Sequence, residues 1–178
     1  IDMPLQHINN RLLKSMNRKI TGEEINTLLN KIKTKIPNIC LRTTFIVGYP
    51  SETQEEFQEL RTFIEQTKFD RMGAFTYSPE ENTPSFKLND DVSQEEKYER
   101  LNELTQTQES ISLQLNRNKI GKTFTVLVDR KEGEYWIGRT EHDSPEVDNE
   151  VLISIEEKAK IGEFYQVKIT DAVEFDLY

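Results

Sequence analysis

The sequence predicts an α/β part followed by an all-β part, and three observations carry that prediction. Short β-branched runs alternate with amphipathic helical stretches over residues 1 to 92. Within them, Leu41-Arg42-Thr43-Thr44-Phe45-Ile46-Val47 ends in Gly48-Tyr49-Pro50 and leads at once into Ser51-Glu52-Thr53, the pattern of a strand, a loop and a capped helix. After Ile120-Gly121-Lys122 the helical period gives way to short strand-like runs separated by Gly, Pro and acidic turns.

Ile1 to His7 reads as a strand already under way, and a chain that opens on Ile1 in mid-strand suggests a piece of a longer protein. Asn9 to Met16 is a short helix with Leu12, Leu13 and Met16 on one face. Thr21 caps the next helix with Glu24 three positions on, a capping box, and Ile25, Leu28, Leu29, Ile32 and Ile36 form its apolar stripe. A central strand from Ile39 to Val47 follows, then a helix burying Phe57, Leu60, Phe63 and Ile64, then a strand from Arg71 to Tyr77. This β-α-β-α-β order predicts parallel strands joined by right-handed crossovers. Three strands are too few to close a barrel, so the pattern fits the second half of a (β/α) barrel; a small open α/β sheet is the plainer alternative. Residues 93 to 119 read as one charged connecting helix with a sparse stripe of Tyr98, Leu101, Leu104, Ile111 and Leu115. Residues 120 to 178 hold about five short strands, as in a small OB-like β-barrel.

The composition bounds the chemistry. In 178 residues, 35% are hydrophobic and 31% charged, the mean hydropathy is -0.70, and no apolar run is long enough to cross a membrane. Cys40 is the only cysteine, so neither an internal disulfide nor a multi-cysteine metal site can form from these residues. The formal net charge is -9. From Arg117 onward there are nine Lys and Arg against fourteen Asp and Glu, so the β part is acidic in its own right. Such a surface disfavours nucleic acid, whose affinity comes largely from cations at phosphates, and suits a basic partner or a small ligand.

Candidate site residues cluster at predicted strand ends. Gln6 and His7 stand where a parallel strand reaches a barrel mouth; the plain alternative has Gln6 capping a helix and His7 in a solvated loop. Alternation along the central strand puts Arg42, Thr44 and Ile46 on one face and Leu41, Thr43, Phe45 and Val47 on the other. The second set suits burial under helices, which turns Arg42 and Thr44 inward; an inward guanidinium needs a carboxylate from the protein or from a ligand. Gly48-Tyr49-Pro50 allows close backbone approach but equally serves as a βα turn. Tyr77, Ser78 and Thr83 end the third strand and open its loop. In the β part, Gly138 to Asp148 is a long acidic loop, either a solvated connection or a dock for a basic protein.

Four segments together resemble one family: Met3-Pro4-Leu5-Gln6-His7; Leu13-Lys14-Ser15-Met16-Asn17-Arg18; Arg42-Thr43-Thr44-Phe45-Ile46-Val47-Gly48-Tyr49-Pro50-Ser51-Glu52-Thr53; and Phe75-Thr76-Tyr77-Ser78-Pro79-Glu80-Glu81-Asn82-Thr83-Pro84. They resemble the radical S-adenosylmethionine methylthiotransferases, and Gly138 to Asp148 resembles the TRAM domain of the RimO-type branch, which methylthiolates an aspartate of a small-subunit ribosomal protein. The resemblance implies the C-terminal half of a radical-SAM (β/α) barrel followed by an OB-like TRAM barrel. It implies S-adenosylmethionine and two 4Fe-4S clusters in the parent enzyme, a basic small-subunit ribosomal protein as partner, and a cytoplasmic location. The cluster cysteines of the family are not among these residues, so the resemblance assigns no catalytic residue and no metal ligand here and implies that the chain alone is inactive. It assigns Gln6, Arg42, Thr44 and Tyr77 to the cofactor pocket, and Arg139, Glu141, Asp143, Glu146 and Asp148 to substrate docking. The sister branch, which modifies adenosine in tRNA, carries a Pro-Val-Gln-Ser-like first motif and commonly an Asp at the place of Thr44. A fragment of that branch, or a non-catalytic binding module, are the rival readings.

Overall fold

The computed structural model describes every residue except Glu146. It divides into two compact units, Ile1–Gln108 and Glu109–Tyr178, with one long helix running through the division.

In the first unit the segment before the first helix is extended and lies parallel to the central strand β1 (Arg42–Val47). It is pinned by two short stretches of pairing, Asp2 opposite Arg42 and Gln6 opposite Phe45. Between those two bridges it spends one residue more than β1 does, so the ladder slips as at a β-bulge. Pro4 donates no hydrogen bond, and Gln6 takes a φ of 72°, which breaks the predicted Ile1–His7 strand into these bridges. Helix α1 (Asn10–Ser15) is capped by Asn9, whose side chain accepts from the Arg11 and Leu12 amides. Helix α2 (Gly22–Lys35) carries the predicted Thr21–Glu24 capping box. It buries Ile25 and Leu29, but Leu28 and Ile36 are exposed, so its apolar stripe is narrower than the sequence suggests.

After β1, helix α3 (Gln54–Thr67) begins with a second capping box, Thr53 with Glu56, and buries Phe57, Leu60, Phe63 and Ile64. Thr53→Ala removes the acceptor for the Glu56 amide and is expected to lower stability by about 1 kcal/mol in urea unfolding. Strand β2 (Arg71–Thr76) pairs parallel with β1, with Thr44 opposite Gly73 and Ile46 opposite Phe75. Burial alternates along β1: Thr43, Phe45 and Val47 are buried, whereas Arg42, Thr44 and Ile46 are half-buried. Phe45 meets Phe63 and Phe69 edge-on, with centroids 6.2 and 5.9 Å apart, which fixes the helix-covered face of the sheet.

Helix α4 (Gln94–Arg117) departs most from its sequence pattern. Tyr98 is exposed, and Leu104 and Ile111 share the buried face with Lys97, Arg100, Gln108, Ser112 and Asn116. Of the expected stripe, Leu104 and Ile111 are buried, but most of the buried face is made of polar residues one position away from it.

The second unit is a five-stranded sheet in the order β6-β3-β4-β5-β7, formed by β3 (Thr123–Glu132), β4 (Tyr135–Arg139), β5 (Glu150–Ser154), β6 (Phe164–Lys168) and β7 (Asp176–Leu177). Val126, Val151, Ile169, Ala172 and Leu177 form its core. The β3–β4 register slips between Val128 and Arg130. Gly138 lies so close to Val126 and to the Leu127 carbonyl that a Cβ would stand 2.5 and 2.7 Å from them. The chain end is tied back, with the Thr170 and Asp171 amides donating to the Tyr178 carbonyl. Among the described residues the sheet is not closed into a barrel. β6 and β7 stand at opposite edges of the order, β7 is only two residues long, and turns between β5 and β6 replace a continuous ladder.

Candidate functional site

The carboxyl ends of the Ile1–Gln6 segment, β1 and β2 converge on a cavity of about 550 Å³, within the size range of small-molecule sites. Gln6, Thr44, Ile46, Phe75 and Tyr77 all line it. Gly73, opposite Thr44, has no side chain to fill the space above the sheet. Tyr49, from the turn after β1, packs edge-on against Tyr77 with centroids 5.2 Å apart. Each tyrosine is tethered by its hydroxyl, Tyr49 donating to the Ser15 carbonyl at 3.2 Å and Tyr77 to the Ser85 carbonyl at 3.0 Å. Phe75 leaves 62% of its surface exposed beside this wall, an apolar ring facing solvent. Amide and hydroxyl groups of Gln6, Thr44, Ser78 and Thr83 complete the lining, and its only charges are Arg18 and Glu80. Such a mixture suits a ligand that is partly aromatic or apolar and partly hydrogen-bonding.

Arg42 is not part of this lining. It shares a face with Thr44 but sits at the opposite end of β1, paired across the sheet with Arg71, and its guanidinium lies 3.9 Å from the Asp2 carboxylate. A partner from the protein thus answers the charge that alternation turned inward.

Behind the cavity lies a polar cluster that sequence reasoning missed. His7 is fully buried, and its Nε2 stands 3.0 Å from Glu52 Oε1. Its Nδ1 accepts the Asn9 amide, so Nε2 carries the proton that it donates to Glu52. Glu52 Oε2 accepts from the Gly48 amide at 2.5 Å and from Arg100 at 2.6 Å, and Arg100 also pairs with Glu96. One buried carboxylate therefore ties together the residue after Gln6, the turn before Tyr49, and α4. Lys97, also fully buried, reaches Asp90 through Nζ at 2.6 and 2.7 Å and sits over the Tyr77 ring. On the outer side of the same turn, Arg11 grips Glu56 through two hydrogen bonds and donates to the Ser51 hydroxyl and carbonyl. The Arg11 hydrogen bonds hold the Glu56 carboxyl below its ordinary range. Stability from this contact is present above the unfolded-state value and is lost as the pH falls through the lowered one.

In the second unit the four described residues among those assigned to docking do not form one acidic array. Arg139 pairs with Asp129 at 2.9 Å. Glu141 is exposed. Asp143 is buried and accepts the Thr140 hydroxyl at 2.5 Å, and Asp148 takes the Ser144 amide at 2.8 Å, so both stabilise the loop itself. Glu146 lies outside the described residues.

The donor set does not fit an iron–sulfur cluster. Cys40, half-buried just before β1, is one thiol where such a cluster needs several, and no group of three or more His, Cys, Asp or Glu able to hold a metal occurs among the described residues.

The TRAM domain family matches residues 120–178. A ribosomal protein uS12 methylthiotransferase RimO of Christiangramia forsetii is 53% identical over the whole chain, which covers 40% of that protein. The proteins of the same name from Cytophaga hutchinsonii and Phocaeicola vulgatus are 54% and 52% identical, again over the whole chain and over 41% and 42% of their own lengths. The chain thus spans about two fifths of the curated relatives that it matches. Among solved structures, the radical SAM enzyme coproporphyrinogen III oxidase of Escherichia coli is similar in fold, with a TM-score of 0.52 and 23% identity over 65% of this chain and 27% of that one. No helix among the described residues is long and apolar enough to cross a membrane. From end to end, about half of this chain's positions are identical to those of several proteins named ribosomal protein uS12 methylthiotransferase RimO, and residues 120–178 form a TRAM domain.

Proposed function

We propose that this chain forms the distal wall of the reaction cavity and the substrate-docking domain of a cytoplasmic methylthiotransferase. The parent enzyme adds a methylthio group to the β-carbon of an aspartate in ribosomal protein uS12. The observation that carries this reading is the convergence of Gln6, Thr44 and Tyr77 on one cavity at the strand ends, in a chain half identical throughout to enzymes of that name. On this reading residues 1–92 belong to the second half of a radical-SAM (β/α) barrel, residues 93–119 connect, and residues 120–178 form an OB-like TRAM domain.

In the parent, S-adenosylmethionine and two 4Fe-4S clusters supply the radical and sulfur chemistry when bound. The cluster thiolates come from segments outside these residues, since Cys40 cannot provide them. This chain's share is positioning. Thr44 and Gln6 offer hydrogen-bonding groups to S-adenosylmethionine on the open face of the sheet, the Tyr49–Tyr77 pair gives a rigid aromatic wall, and Phe75 excludes water at the opening. The acidic TRAM domain attracts the basic ribosomal protein, with Glu141 an exposed carboxylate of its loop.

Mass spectrometry of uS12 and of tRNA after reaction with the reconstituted full-length parent tests this reading. A methylthio group on a uS12 aspartate, with tRNA unmodified, is the expected result; modification of tRNA adenosine instead would overturn it.

A further inference from the structure

We propose that Arg18 receives the carboxylate of the aspartate being modified. This rests on the function proposed above and adds to it the residue that tells aspartate from its neutral analogue.

The Leu13–Arg18 motif already contributes the Ser15 carbonyl that holds Tyr49 and the Met16 side chain to the cavity wall, and Arg18 is its one charged residue in the lining. Helix α1 ends there in a Schellman turn: Asn17 takes a φ of 56°, its amide donates to the Lys14 carbonyl at 3.1 Å, and the Arg18 amide donates to the Leu13 carbonyl at 2.8 Å. Leu12 and Leu13 are fully buried, so this turn is anchored, and it presents the Arg18 backbone at a fixed place on the cavity wall.

The guanidinium itself is uncommitted. Arg11, Arg61, Arg100, Arg130 and Arg139 each pair with a carboxylate of the protein. No described residue makes a hydrogen bond or ion pair with the Arg18 side chain, including Glu80, the one carboxylate of the lining. Arg18 is the only cationic residue of the lining, set among Met16, Ile46, Tyr49 and Phe75. Apolar and aromatic walls lower the local dielectric and strengthen a charge pair formed against them. A guanidinium offers two parallel donors whose spacing matches the two oxygens of a carboxylate, which an amide cannot reproduce. A single such fork in the cavity fits a single side-chain carboxylate, and the β-carbon that bears that carboxylate is the atom to be modified.

Two uS12 peptides that differ only by aspartate or asparagine at the modified position provide the test, with binding to the full-length parent enzyme measured by fluorescence anisotropy. Arg18→Gln is expected to weaken the aspartate peptide about tenfold or more while leaving the asparagine peptide within about twofold. Arg18→Lys, which keeps the charge without the fork, is expected to fall between. Arg18 is exposed and caps nothing with its side chain, so both variants should unfold at the wild-type temperature, which circular dichroism verifies. Equal losses for both peptides, an unchanged aspartate peptide, or a weakening of S-adenosylmethionine binding instead would each overturn the assignment. Failure of the wild-type enzyme to modify uS12 would instead strike the proposed function, so the two outcomes are separable.

Discussion

Glu52→Ala is expected to destabilise the first unit by about 3–5 kcal/mol, because it leaves the buried Arg100 without its carboxylate and strands the His7 N–H. Against a typical total of about 5–15 kcal/mol, that loss takes a large part of the folded population. The side chain is fully enclosed, and it also accepts the Gly48 amide, so no water replaces it without rearrangement. Replacing both ions together, as Glu52→Gln with Arg100→Met, should be milder than Glu52→Ala, since no unpaired charge then stays buried. Urea unfolding of the single and double variants measures both. A loss below about 1 kcal/mol for Glu52→Ala would show that the cluster is a surface-like pair and not a clamp.

Gly48→Ala should cost about 2–5 kcal/mol, from two additive causes. Gly48 has a φ of +67°, a region unfavourable to any residue with a Cβ. Its Cβ would also stand 2.2 Å from Lys97 Cγ, and Lys97 cannot withdraw because it is buried and bound to Asp90 through both carboxylate oxygens. Gly121→Ala separates the two causes. Gly121 has a φ of +83° but nothing within 4 Å of its Cβ position, so it should show the backbone part alone. Since Tyr49 follows Gly48 directly, the variant should also raise the KM for the ligand of the cavity in any population that remains folded. Equal losses at Gly48 and Gly121 in thermal unfolding would refute the clash.

How much of this was legible in the sequence depends on the range of the interactions concerned. The Thr21–Glu24 capping box and the buried face of α3 were readable, because each is set within one or two turns of chain. Alternation along β1 correctly separated Thr43, Phe45 and Val47 from Arg42, Thr44 and Ile46. It fixed the face but not the level, which is why Arg42 shares a face with Thr44 yet lies at the wrong end for the cavity. The buried polar cluster was not legible, since His7 and Glu52 are 45 positions apart and Glu52 and Arg100 are 48 apart. Nothing local marks such residues as partners. The only hint was spacing: Lys97, Arg100, Leu104, Gln108 and Ile111 recur at helical intervals, but polar residues at those positions read as a solvated face. In the acidic loop, side chains that looked available for docking are partly used up by turns, as Asp143 with Thr140 and Asp148 with the Ser144 amide show.

On the proposed function, S-adenosylmethionine lies on the open face of the paired strands, between Thr44 and Gly73. Thr44→Trp places an indole in the space that Gly73 leaves free, and equilibrium dialysis of S-adenosylmethionine against the reconstituted full-length enzyme reads the consequence. Binding should be lost while the unfolding temperature stays near that of the wild type. Wild-type affinity in a folded Thr44→Trp enzyme would contradict it.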